Sequence, residues 1–86
     1  MGHYASEMID PTPFISRKEL DLASVKKKAE KILKSAKLKG QVTKVTHEWQ
    51  TDTPKREWIE IYYEGTYNKQ PQKYLHVVDM KLWKMA

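Results

Sequence analysis

The hydrophobic period of this chain changes once, at Gly40, and that change restricts it to a helix followed by strands. Upstream, Leu22, Val25, Ala29, Ile32, Leu33 and Ala36 recur at helical spacing. At about 100° per residue they occupy one face, within an arc of roughly 100°. Downstream, apolar and polar residues alternate at period 2, the signature of strands with one buried side. Asp21 is the expected N-cap of the helix, with Leu20 and Val25 as its hydrophobic staple. Ser16 followed by Glu19 is also a capping box, but Leu20 points away from the apolar face. A short turn after Ser16 is therefore expected ahead of the main helix. Lys39-Gly40 is expected to close that helix, because glycine tolerates the left-handed conformation of a helix end.

Three strands are expected after Gly40. Val42–Gln50 is rich in β-branched residues, with Val45, His47 and Trp49 on one side. Thr51-Asp52-Thr53-Pro54-Lys55 supplies turn chemistry. Arg56–Glu64 follows, with Ile59, Ile61 and Tyr63 on one face and Trp58, Glu60 and Tyr62 on the other. Gly65–Lys73 is polar and is expected to form a loop. Tyr74–Trp83 is expected as the third strand, but its apolar residues do not keep to one face. A bulge near Val77-Val78 would reconcile them, since one extra residue flips the alternation. The expected fold is α+β, one N-terminal helix packed on a three-stranded antiparallel β-meander (αβββ). Residues 16–86 would form this single domain, preceded at 1–15 by an extended or flexible arm. Pro11 and Pro13 favour extended backbone there, and Tyr4, Met8 and Ile9 offer it docking groups.

Composition excludes several kinds of chemistry. The 86 residues include no cysteine, so neither a disulfide, a thiolate metal site nor a thiol nucleophile is available. That lack fits a reducing compartment. No segment approaches the ~20 apolar residues of a membrane span. Met1–Pro13 lacks the apolar core of a secretory signal, so a cytoplasmic location is expected. His3, His47 and His76 match no metal-binding spacing. Glycine occurs only at positions 2, 40 and 65, which rules out a phosphate-cradling loop. No catalytic residue, metal or cofactor is expected, and the protein is read as non-enzymatic. A hidden catalytic site would have to combine His47, His76 and Asp79. The carboxylates Glu57, Glu60 and Glu64 are the other acid–base candidates, Glu60 alternating with tyrosines on a solvated face.

Two features point to a partner. The net charge is +5, and residues 21–40 supply the whole excess, with seven lysines against Asp21 and Glu30. Lys26, Lys27, Lys28, Lys31, Lys34, Lys37 and Lys39 mostly project away from the apolar stripe. Like charges at i,i+4, such as Lys27 and Lys31, oppose helix formation by a few tenths of a kcal/mol unless a polyanion lies nearby. Lysine is also a good helix former that keeps small proteins soluble, an explanation that needs no partner. The second feature is aromatic. Trp58 and Tyr62 would lie on the sheet face away from the helix, among Lys44, Arg56 and Lys73, as on a base-stacking platform. The same aromatics would also suit the N-terminal arm folding over them, or a homodimer contact.

The expectation is a small basic nucleic-acid-binding accessory protein. Lys26, Lys27, Lys28, Lys31, Lys34, Lys37, Lys44 and Arg56 would meet phosphate, with Trp58 and Tyr62 stacking on bases. Only Arg17 and Arg56 are arginines, the residue best suited to reading guanine edges, so binding would be phosphate-driven and weakly sequence-specific. The alternative is a non-catalytic protein-binding module, an inhibitor or assembly factor of the kind viral and mobile-element genomes carry, able to homodimerise. Its partner would be a larger protein.

Overall fold

Alternation along the strands decides which sheet face the helix covers. The computed structural model describes residues 14–52 and 54–86. Its elements are β1 (Ile15–Glu19), α1 (Leu22–Ser35), β2 (Gln41–Gln50), β3 (Arg56–Tyr67), β4 (Gln70–Asp79) and α2 (Met80–Met85). The strands form one antiparallel sheet in the order β1-β2-β3-β4. Val42, Val45, Ile59, Ile61, Tyr63 and Val78 turn to the same side and are buried there with Ala29 and Leu33 of α1. Each fully buried aliphatic side chain contributes roughly 1.5–3 kcal/mol by leaving water. The opposite, open face carries Arg17, Thr46, Glu48, Trp58, Glu60, Tyr62, Leu75 and Val77.

The α+β architecture, the α1 apolar stripe from Leu22 to Leu33 and the two faces of β3 agree with the sequence-based expectation, whereas Ala36, the last expected member of the stripe, is exposed and follows α1 as its C-cap. Asp21 is the N-cap: its carbonyl accepts from Ser24 N–H and Val25 N–H, and its carboxylate accepts from the Ser24 hydroxyl at 2.8 Å. The other end differs. Gly40 does not close α1. Lys37 adopts the left-handed conformation (φ 61°), Leu38 N–H donates to the Leu33 carbonyl, and Lys37 N–H donates to the Lys34 carbonyl. That is a Schellman motif, with Leu38 folding back onto the core.

Four further expectations are corrected. The sheet has four strands and not three, because Ile15–Glu19 pairs with β2 in place of a turn at Ser16. Its polar composition favours no strand; the unpaired edge of β2 and the Arg17–Glu48 contact across it supply the reason. Gly65–Lys73 is not a loop. β3 and β4 run on to a two-residue turn at Asn68-Lys69, both at positive φ as a type I′ hairpin requires. No bulge interrupts β4. Leu75 and Val77 stay exposed on the open face while Val78 enters the core, and the bulge lies between Val42 and Lys44. Finally, Met80–Met85 leaves the sheet as α2. The Asp79 carboxylate caps it by accepting from Lys81 N–H at 2.8 Å, and Trp83 is buried in the core. The arm expected over 1–15 lies outside the described residues except at Phe14, whose carbonyl accepts from Thr51 N–H, and Ile15, which opens β1.

Among the described residues no helix is long and apolar enough to cross a membrane.

Candidate nucleic-acid interface

The apolar stripe of α1 fixes where its lysines point. With Ala29 and Leu33 against the sheet, Lys27, Lys31 and Lys34 fall on the outward surface and are exposed. They rise along roughly 10 Å of helix. Lys37, in the helix-terminating turn, continues the same exposed basic surface, followed by Lys39. Lys26 and Lys28 flank the buried stripe and are half-buried. Lys28 is tied down by the Trp83 ring, its Nζ 5.0 Å from the ring centroid. Among the described residues the ion pairs involve Arg17 and His47, and none involves a lysine of α1.

The remaining expected contact residues sit on the other side of the sheet. Lys44 Nζ lies 4.4 Å from the centroid of the Tyr62 ring, and the Arg56 guanidinium 5.8 Å from that of Trp58. The helix lysines and the aromatic platform are therefore two surfaces separated by the sheet. One ligand groove does not unite them.

The aromatic side also has an acidic centre. Glu48, opposite Trp58 in the register, is only 2 % exposed. Its carboxylate accepts from the Thr46 hydroxyl at 2.9 Å and meets Arg17 Nε at 3.3 Å. Arg17 reaches on toward Glu60, with Nη2 3.9 Å from Oε1. Glu60 accepts from Tyr62 O–H at 2.7 Å and from Trp58 Nε1–H at 3.1 Å. Burial alone would raise the Glu60 carboxyl. The hydrogen bonds from Tyr62 and Trp58 and the Arg17 charge together hold it below the ordinary carboxylate range. The Tyr62 phenol is raised, first by its bond to Glu60 and then by burial. Arg17 is raised by its hydrogen bond to Glu48. The polar edges of Trp58 and Tyr62 thus serve the Glu60 carboxylate.

A group whose folded pKa is depressed stabilises the fold above its unfolded pKa and loses that contribution as pH falls through the folded value. Acid should accordingly lower the melting temperature progressively below about pH 4.3, the ordinary glutamate value. Glu60→Gln is expected to flatten that acid limb in melts followed by circular dichroism. An unchanged limb would show that Glu60 gains nothing from this cluster.

His47, His76 and Asp79 do not come together on one face of the sheet. His47 and His76 both project to the helix side, whereas Asp79 lies on the open face and caps α2. His47 Nε2 contacts the Glu57 carboxylate instead, with its ring 4.9 Å from Trp49. Among the described residues no cluster of three His, Asp or Glu side chains could hold a metal ion. His3 lies outside the described residues.

Sequence reasoning missed Arg17 and Glu48. A strand at Ile15–Glu19 has no hydrophobic alternation to reveal it, so nothing local aligns Arg17 with Glu48. The one available signal was parity, since Glu48 alternates opposite to Val45, His47 and Trp49.

Comparison of the chain with protein-family models, curated proteins and solved structures found no match.

Proposed function

We propose that this protein binds nucleic acid through its phosphate backbone, using the outward face of α1. The observation that supports it is the row of exposed lysines Lys27, Lys31, Lys34 and Lys37, with no ion-pair partner among the described residues. Lys26 and Lys28 border that row and strengthen its potential. Such a surface attracts any phosphate chain, since its attraction is coulombic and independent of base identity. The two arginines are engaged elsewhere, Arg17 with Glu48 and Arg56 over Trp58. Weak sequence specificity follows. Lys44, Arg56, Trp58 and Tyr62 belong to the opposite surface and are not part of this contact. Without a stacking platform beside the lysines, duplex is the preferred ligand over single strand.

Fluorescence anisotropy with labelled duplex and single-stranded oligonucleotides tests this. Four phosphate contacts predict a loss of affinity of roughly 150-fold between about 50 and 200 mM salt. Absence of binding even at low salt would end this proposal.

A second reading, a non-catalytic protein-binding module, draws support from the half-exposed Leu75 and Val77 on the open face. Pull-down with and without nuclease treatment separates the two.

A further inference from the structure

We propose that two copies of this chain associate through the free edge of β4, joining their four-stranded sheets into one antiparallel sheet. This stands independently of nucleic-acid binding.

The hairpin decides which backbone groups face outward. A two-residue type I′ turn makes Tyr67 and Gln70 a hydrogen-bonded pair. Alternation then directs residues 72, 74, 76 and 78 toward β3. Lys73, Leu75 and Val77 turn their N–H and C=O groups to the open edge, where no strand among the described residues pairs with them. Pro71, which has no N–H to offer, occupies one of these outward positions near the turn. That is where an edge strand tolerates proline. From Lys73 to Asp79 there is no such block.

The edge is self-complementary in one register. Centred on His76, an antiparallel copy sets Lys73 opposite Asp79 of the second copy and Leu75 opposite its Val77, all on the open face. Two opposite-charge pairs and two apolar pairs result, the combinations that stabilise neighbouring strands. Centring on Leu75 would place Lys73 against Val77 and Pro71 against Asp79. Centring on Val77 would place Leu75 against Asp79 and Lys73 against Lys81. Leu75 and Val77 are 49 % and 55 % exposed, unusual for aliphatic residues on a long edge strand with no neighbouring strand among the described residues. Beside the axis, Leu82 and Met85 line a groove with His76 and add apolar surface. The two-fold axis stands perpendicular to the sheet, so both α1 helices lie on the same side. With α1 over β2 and strands about 4.8 Å apart, their separation is about 24 Å.

The absence of cysteine makes the test direct. At the axis, His76 and its copy form a non-hydrogen-bonded pair, with Cα atoms about 4.5 Å apart, within disulfide range. His76→Cys should therefore oxidise to a covalent dimer at least about ten-fold faster than Gln72→Cys, whose copy would lie ~27 Å away. In sedimentation velocity across the micromolar range the unmodified chain should run as a dimer. Lys73→Glu, which sets like charges against Asp79, should weaken that dimer about ten-fold or more. A monomer throughout that range would overturn the proposal and leave the edge to a strand of some other protein. So would a dimer in which His76→Cys crosslinks no faster than Gln72→Cys.

Discussion

Replacing Lys27, Lys31 and Lys34 together by glutamate is expected to lower affinity for duplex DNA roughly a thousand-fold at low salt. Each reversal removes two units of charge, so the three take the net charge from +5 to −1. Three phosphate contacts are lost and three repulsions replace them. The fold should survive, because glutamate and lysine have similar helix propensity and all three positions are exposed. Far-ultraviolet circular dichroism and the melting temperature check that point. The glutamine counterpart removes charge without repulsion, so its loss should be smaller and its salt slope shallower by about three contacts. Substituting Lys44 and Arg56, on the far side of the sheet, should leave binding within a few-fold. Tight binding by the triple glutamate variant would rule out α1 as the contact.

The second large effect is on stability and lies where two glycines meet. Gly40 leads into β2 with φ at 154°, a conformation that side-chain-bearing residues rarely adopt. A Cβ there would come within 2.6 Å of the Glu64 carbonyl oxygen and 2.7 Å of Tyr63 Cδ2. The nearer obstacle is backbone, and the other belongs to a buried ring stacked on Tyr74. Neither moves cheaply. Overpacking and a disfavoured φ each cost about 1–3 kcal/mol, so Gly40→Ala should destabilise by about 3 kcal/mol. For a domain of this size that lowers the melting temperature by roughly 15 °C. Gly65→Ala should cost about 1 kcal/mol. Its Cβ would sit 2.9 Å from the Lys39 carbonyl, but Gly65 has no positive φ to strain. Thermal denaturation of the two variants side by side decides the matter. Equal costs would mean that the φ of Gly40 carries no strain.

The two predictions draw on parts of the chain that were legible to different degrees. The lysine surface was readable directly, because Ala29 and Leu33 define the buried side of α1 and geometry then assigns every other position. Gly40 reads locally as a helix end, but Lys37 takes the left-handed position, and glycine is needed at 40 because the chain entering β2 passes so close to β3. That approach involves residues far apart in sequence, and no local pattern encodes it. The end of β4 went unread for a related reason. Val78, Met80 and Leu82 alternate like a strand, and Asp79-Met80-Lys81 looks like a cap only once α2 has somewhere to pack Trp83.

Local periodicity by itself determined α1, the core face of β3, that of β2 from Val45 onward, and the outward lysines, since helical and pleated geometry convert spacing directly into facing; Val42 joins that face only through the bulge before Lys44. Only the tertiary structure decided that Ile15–Glu19 joins the sheet and that Arg17 bridges Glu48 and Glu60. Those outcomes depend on strand pairing across long separations, where the free energy comes from satisfying an open backbone edge and a buried charge.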